Sequence, residues 1–245
     1  MDSSDWRRDV GNVAAELQSA LLGSDKVEEF LADVARAAAG LIEGALACGV
    51  TVQATPRSRM LGATSDRFAA RMDAVQYDVD DGPCLSALRA STVVAVDDIA
   101  TDTRWPEFSR RGRLEGAAAS LSVPLLVTGR AVGALNLYAR QIGAIGRTDQ
   151  DRARRFADQA AGAVALAARL AESEETARNL ATALRSRSTI DQAMGALMTH
   201  AHISADEAFD LLRLRSQHTN TKLRDVANAV LTEITGIRPS GADDD

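Results

Sequence analysis

Apolar residues recur at helical spacing from about residue 10 to 22 and again from 26 to 46, with Gly23, Ser24 and Asp25 between the two stretches. Ser24 or Asp25 is placed to cap the second helix, since a short oxygen-bearing side chain there accepts from the helix's first unpaired N–H groups. Beyond this the period falls to two. "GVTVQAT", "RMLGATS", "TVVAVDDI", "AASLSVPLLV" and "AVGALNLYA" read as strands, and the last two flank "TGR", a short hairpin connection. Helical spacing returns between the earlier strands, near residues 66–76, 83–90 and 105–115. The pattern predicts an α+β domain with an antiparallel sheet and helices on its faces.

After "GRTDQDRARRF" the chain becomes helical, with Thr148 and Asp151 compatible with a capping arrangement at the start of a long helix. Phe156, Ala163, Leu170, Ala177 and Leu184 lie seven apart, and Leu166 and Leu180 fall near the complementary heptad position. Ser173 and Arg187 interrupt that seam. Off the stripe residues 171–188 are mostly polar, so the expectation is a helical stalk that pairs in parallel with a second copy; a lone helix packed on the sheet is the alternative. The helix should end around residues 199–204. Ser204 with Glu207 three residues on forms a capping box for a helix to about residue 217. A third helix follows over residues 222–234, stopped by Gly236 and Pro239, and "SGADDD" reads as a disordered acidic tail. The expected divisions are an N-terminal helix over 1–24, an α+β domain over 25–168, a stalk over 169–186, a three-helix module over 187–236 and the tail over 237–245.

The net charge of −6 argues against indiscriminate nucleic-acid binding by the whole chain, but the charge is unevenly spread. Residues 66–102 carry eight Asp against three Arg, whereas residues 185–224 carry five Arg and one Lys against four acids. Cys48 and Cys84 are the only cysteines, too few for a disulfide framework or an all-cysteine zinc site, and they fit a reducing compartment. "MDSSDWRRDV" lacks the apolar run of a secretory signal and no stretch reads as a membrane span, so a cytoplasmic protein is expected.

Three segments, "IDQAMGALM", "AFDLLRLRSQ" and "TKLRDVANAV", resemble in order and spacing the ANTAR family, RNA-binding domains of bacterial transcription antitermination regulators. The resemblance implies a dimer that binds nascent RNA with paired stem-loops and prevents terminator formation. The order of elements before it, with "DDGPCLSALRAS" ahead of "TVVAVDDI" and "SVPLLVTGRAVGALNLYA" leading into the long helix, looks like a GAF domain, a small-molecule and signal-sensing α+β fold. The fold class expected is therefore a GAF-type antiparallel sheet with flanking helices, a long helical stalk and an all-α three-helix ANTAR module. Its function is expected to be regulatory and non-enzymatic, in a homodimer, with no membrane partner. No cofactor is named, and neither the GAF ligand or protein partner nor the RNA target is identified.

For RNA contact the candidates are Arg187, Gln192, Arg213, Arg215, Gln217, Asn220, Lys222 and Arg224, since Arg and Lys neutralise phosphates while amides and guanidinium planes reach exposed loop bases. Ala193, Leu197, Ala208, Leu211, Leu212, Leu223, Val226 and Val230 are the expected core of the module. Met194 and Met198 are expected to fill that core, and Gly195 to admit a close neighbouring helix. His200 and His202 have no third ligand at metal-site spacing and belong at a helix C-terminus. The resemblance to a GAF domain places a ligand pocket near Tyr77, Asp81, Cys84, Asp97, Trp105 and Phe108, with Asp80, Gly82, Pro83 and Asp98 beside them. Cys84, behind Pro83 at a helix N-terminus, is open to two readings: a thiolate-forming redox residue or a small core residue. Two alternative functions follow, a thiol enzyme like the GAF-based methionine sulfoxide reductases and a DNA-binding helix-turn-helix regulator.

Overall fold

The computed structural model describes residues 15–24, 26–40, 46–53 and 60–236. The expected N-cap Asp25, the helix start near residue 10, residues 41–45 and the acidic tail lie outside the described residues. The chain divides into two units, residues 1–173 and 174–245.

In the first unit, helix α1 is described over residues 15–23. Ser24 closes it: its hydroxyl donates to the Ala20 carbonyl at 2.8 Å. Then follow α2 (Val27–Gly40), β1 (Ala47–Val52), β2 (Leu61–Thr64), α3 (Arg67–Val79), α4 (Pro83–Ala90), β3 (Val94–Val96), α5 (Pro106–Leu114), β4 (Ala119–Val127) and β5 (Arg130–Ala139). The helical periodicity expected over 26–46 is described as helix to Gly40, its last part lying outside the described residues, and Ala47 and Cys48 pair with Tyr138 and Leu137 of β5. The five strands form one antiparallel sheet in the order β2-β1-β5-β4-β3. Thr128 and Gly129 join β4 to β5 with φ of 49° and 80°, the two left-handed residues that let a two-residue hairpin turn follow the strands' twist.

Alternation along the strands gives the sheet two different faces. Cys48, Val50 and Val52 of β1, Leu121, Val123 and Leu125 of β4, and Leu135 and Leu137 of β5 are buried against Phe30, Leu31 and Val34 of α2 and against Phe156, Ala160 and Val164 of the following helix. The opposite face carries Ala47, Val94, Val96 and Tyr138 against Phe68, Met72 and Val75 of α3 and Phe108 of α5. It also bears five buried polar side chains, Thr51, Ser120, Ser122, Asn136 and the Tyr138 phenol. Polar positions in a strand are normally the solvated ones, so their burial here marks the face that needs explanation.

Helix α6 (Arg147–Ala201) starts in the first unit and ends in the second. Its N-terminus lies ahead of the expected Thr148 cap: Asp149 Oδ2 accepts from the Gly146 N–H at 3.1 Å, which leaves Thr148 inside the first turn. Helices α7 (Ala205–Thr219) and α8 (Leu223–Thr235) complete the second unit. Its core joins Ala193, Leu212, Val226, Ala227, Val230 and Leu231, with Ile190, Met194, Leu197 and Leu223 packed against them. Leu211, expected in that core, is instead about half exposed, and Met198 is also exposed. Gly195 departs from expectation too. A Cβ built there meets nothing within 4 Å, so among the described residues no neighbouring helix takes up the space.

Candidate functional site

The polar face of the sheet is closed by a hydrogen-bonded cluster centred on Asp73 of α3. Asp66 caps this helix by accepting from the Ala69 N–H at 2.8 Å, and Asp73, two turns on, faces the sheet among Phe68, Met72 and Gln76. Asp73 Oδ1 accepts from the Tyr138 hydroxyl at 2.5 Å and from Asn136 Nδ2 at 3.2 Å. Gln76 extends the chain, its amide donating to Tyr138 Oη at 2.7 Å while its carbonyl accepts from the Cys84 N–H at 2.8 Å. Thr51 Oγ1 accepts from the Cys84 thiol at 3.4 Å and from Asn136 Nδ2 at 3.2 Å, and shares a proton with Tyr77 Oη across 2.6 Å. Tyr77 is the member that reaches the surface.

Two glycines make room for the cluster. A Cβ on Gly49 would lie 2.1 Å from Asp73 Oδ2, and one on Gly82 would lie 2.5 Å from Gln76 Oε1. Gly82 also has φ of 139°, which only glycine adopts readily, and it sits just before α4.

Burial governs the titration of these groups. It pushes the Asp73 carboxyl up to about 7, against the hydrogen bonds from Tyr138 and Asn136 that favour its ionised form. It likewise raises the Tyr77 and Tyr138 phenols, with the Asp73 charge adding to the effect. The Cys84 thiol is pushed up to about 12 by burial and then by Asp73, although its bond with Thr51 opposes the rise. The helix-dipole argument for a Cys84 thiolate is therefore outweighed. Cys48, also raised by burial, belongs to the apolar core under α2, whereas Cys84 bonds to Thr51 on the other face of β1. The two thiols stand on opposite sides of one sheet.

Of the six residues expected around a ligand pocket, Tyr77 and Cys84 meet at Thr51. Phe108 packs in the apolar core beside Tyr138, as does Trp105, whose indole N–H donates to Ser86 Oγ at 3.1 Å. Asp81 and Asp97 are exposed. Asp81 is turned to its own backbone, accepting from the Gly82 N–H at 2.8 Å. Sequence reasoning missed Thr51, Asp73, Gln76, Asn136 and Tyr138. The signal available was "GALNLYA", where Asn136 and Tyr138 alternate with two leucines, as Ser120 and Ser122 alternate with apolar residues in "ASLSV".

In the second unit, Ser204 and Glu207 form the expected capping box: Ser204 Oγ accepts from the Glu207 N–H at 3.3 Å and Glu207 Oε2 accepts from the Ser204 N–H at 2.8 Å. The Ser204 N–H and hydroxyl, both donating to Oε2, hold the Glu207 carboxyl below the usual range. Beyond the cap, α7 shows two different exposed faces. Arg213, Gln217 and Asn220 lie at i, i+4 and i+7 and share one. Asn220, in left-handed conformation with φ of 50°, ends the helix there. Leu211, Leu214, Arg215 and His218 share the other, where with Leu197, Leu212 and Val230 they line an open groove of about 390 Å³.

Four of the eight candidate RNA contacts are held in ion pairs. Arg215 binds Glu233 of α8 bidentately at 2.8 and 2.6 Å, Arg213 meets Asp210 at 3.3 Å, Arg187 meets Asp191 at 3.9 Å and Arg224 meets Asp225 at 3.2 Å. Gln192 donates to Ser188 Oγ at 3.4 Å, and Lys222 occupies the N-cap position of α8. His200 falls in the last turn of α6 and His202 just beyond it with φ of 55°. Among the described residues no group of three or more His, Cys, Asp or Glu is arranged to hold a metal ion. No described helix is long and apolar enough to cross a membrane.

Comparison with known proteins agrees with this two-part organisation. The family model of the GAF domain matches residues 24–165 and that of the ANTAR domain residues 178–231. No curated protein matches the chain. Similar solved structures include the GAF domain from Acinetobacter phosphoenolpyruvate-protein phosphotransferase, at 14% identity and TM-score 0.46, covering 68% of this chain and 96% of that one. The free methionine-R-sulfoxide reductase from Neisseria meningitidis in complex with its substrate aligns at 17% identity and TM-score 0.46, over 70% of this chain and 96% of that one. A methyl-accepting chemotaxis protein fragment aligns at 20% identity and TM-score 0.44, over 63% of this chain and 98% of that one.

Proposed function

The chain belongs to the GAF family and carries an ANTAR domain behind its GAF unit, and from this we propose that it is a non-enzymatic transcription antitermination regulator that binds RNA with paired stem-loops under control of its GAF unit. The observation that carries the reading is the ANTAR match across the three helices of the second unit. The polar face of α7 supports it, since Arg213 meets phosphate while Gln217 and Asn220 carry the amide donors and acceptors that read unpaired bases.

A homodimer belongs to the same proposal. Leu166, Leu170, Leu180 and Leu184 of α6 are all exposed in the single chain, at alternating heptad positions, which is the pattern a second helix buries. Two modules held together bind two hairpins of one transcript as a single event, and the raised effective concentration offsets a modest basic charge. The GAF unit acts through a ligand that meets the Asp73 cluster and binds one arrangement of the dimer better than another.

The buried and separated thiols weigh against a reductase. Fluorescence anisotropy with a two-hairpin RNA, its single-hairpin halves and a duplex DNA tests the reading. Binding is expected to be strongest for the two-hairpin RNA and to fall with salt. Equal, negligible binding to all three overturns it, and a preference for duplex DNA assigns the module to helix-turn-helix regulators. Sedimentation of the full chain is expected to show a dimer that Leu180→Lys with Leu184→Lys dissociates.

A further inference from the structure

The Asp73 cluster is incompletely bonded in one consistent way. Asp73 Oδ2, Asn136 Oδ1, Ser120 Oγ and Ser122 Oγ are buried and have no hydrogen-bond partner. Asn136 Oδ1 is an acceptor, because both donors of its amide are already committed to Asp73 and Thr51. Asp73 Oδ2 is an acceptor whenever the carboxyl is ionised, since the Tyr138 and Asn136 bonds both go to Oδ1. Asn136 and Ser122 are directly opposite across β5 and β4, as are Tyr138 and Ser120, so the unpartnered atoms belong to adjoining rows of one face. A buried polar atom left unpaired loses its bonds to water and gains nothing in exchange. Four on one face is a concentration that close packing alone does not produce.

We propose that this face binds a small organic cation bearing N–H donors, a primary ammonium or amidinium group, which donates to Asp73 Oδ2 and Asn136 Oδ1 while the Ser120 and Ser122 hydroxyls take its remaining polar atoms. The inference rests on the sensor reading above and supplies the ligand class that it lacks. Charge selects the class. The groups bonded into the cluster are Asp73, Tyr77, Gln76, Cys84, Thr51, Asn136 and Tyr138, none of them basic. An anionic ligand would meet Asp73 with no compensating cation among them. Tyr77, partly exposed and bonded through its hydroxyl to Thr51, is the member of the cluster in contact with solvent.

The titratable groups that face Asp73 are Tyr138 from β5, Cys84 from α4 and Tyr77 from its own helix, with Cys48 of β1 on the far side of the sheet, and burial keeps each of these in its neutral form at neutral pH. From α5, Phe108 and Gly112 face α3, while Arg111 and Glu115 pair with Asp78 and Arg71 on its outer side. Asp73 is thus the one group in the cluster whose charge changes near pH 7.

The test follows the Asp73 carboxyl by carbon-13 NMR across a pH titration of the full chain, with equimolar butylammonium chloride, sodium butyrate or sodium chloride. Butylammonium is expected to lower the Asp73 midpoint by about one pH unit, the signature of tenfold tighter binding to the carboxylate than to the acid. It is also expected to raise the thermal midpoint of the wild type but not of Asp73→Asn. The wild-type titration decides even where that variant does not fold. A midpoint that butylammonium leaves unmoved, or that sodium chloride moves equally, overturns the proposal, as does stabilisation by butyrate instead. RNA anisotropy without any probe separates the two readings: loss of RNA binding with a shifted midpoint removes the antitermination reading and leaves the ligand class standing. RNA binding with an unmoved midpoint does the reverse.

Discussion

Gly49 of β1 lies directly beneath the carboxylate of Asp73: a Cβ on the glycine would sit 2.1 Å from Oδ2, inside any tolerable contact. The carboxylate reaches the sheet because this one strand position has no side chain. Gly49→Ala is therefore expected to displace Asp73 and to destabilise the chain by about 1–3 kcal/mol, the range for overpacking a filled core. Urea denaturation followed by circular dichroism measures it. An unchanged midpoint would mean that α3 slides outward at no cost.

Asp73 also sets a pH dependence of stability. Its carboxyl titrates near 7 in the fold and near the ordinary value of 3.8 when the chain unfolds. Between those values the folded chain holds a proton that the unfolded chain has lost. Its contribution is then full below about pH 4, declines as pH rises toward 7, and is constant above. Asp73→Asn is expected to remove that decline, so the unfolding free energies of wild type and variant should diverge between about pH 4 and about pH 7, by a few kcal/mol at most. Parallel pH profiles for the two proteins would show that Asp73 titrates normally in the fold.

Neither thiol should react in the folded chain. Cys48 and Cys84 are fully buried and burial raises both above their ordinary range. Ellman's reagent at about pH 8 is expected to modify neither until denaturant is added, when both react together. Rapid modification of Cys84 in the native protein would restore the redox reading.

Gly195 gives the simplest measurement in the second unit. It is exposed within α6 with open space where a side chain would stand, so Gly195→Ala is expected to stabilise the unit by about 1 kcal/mol through helix propensity alone. Gly195→Leu should fold as well. If either variant folds normally yet loses RNA binding in the anisotropy assay, the glycine is kept for close approach by the nucleic acid.

Local chemistry was legible in the sequence wherever cause and effect lie within a few residues. The Ser204–Glu207 box, the hairpin at Thr128 and Gly129 and the alternation of β4 and β5 all follow from neighbours in the chain. Asp73 was not legible, being one of eight aspartates in an acidic stretch. Its burial depends on Gly49 and on Asn136, from two other strands, and no periodicity links positions so far apart. Leu211 and Gly195 failed for a related reason. Helical spacing marks a residue as lying on a face, but which face meets a neighbour depends on how three short helices cross.

The alternation in β5 also bears on how the first unit avoids misassembly. Leu135 and Leu137 enter one core while Asn136 and Tyr138 enter the other, so a shift of pairing by a single residue would drive an amide and a phenol among leucines and strand two leucines beside Asp73. Few strands are penalised on both sides at once. Because β5 lies at the centre of the sheet between β1 and β4, its alignment sets that of both neighbours. A folding chain thus has one strand that rejects incorrect partners on either hand, and the buried polar residues that would serve recognition also serve as proofreading during assembly.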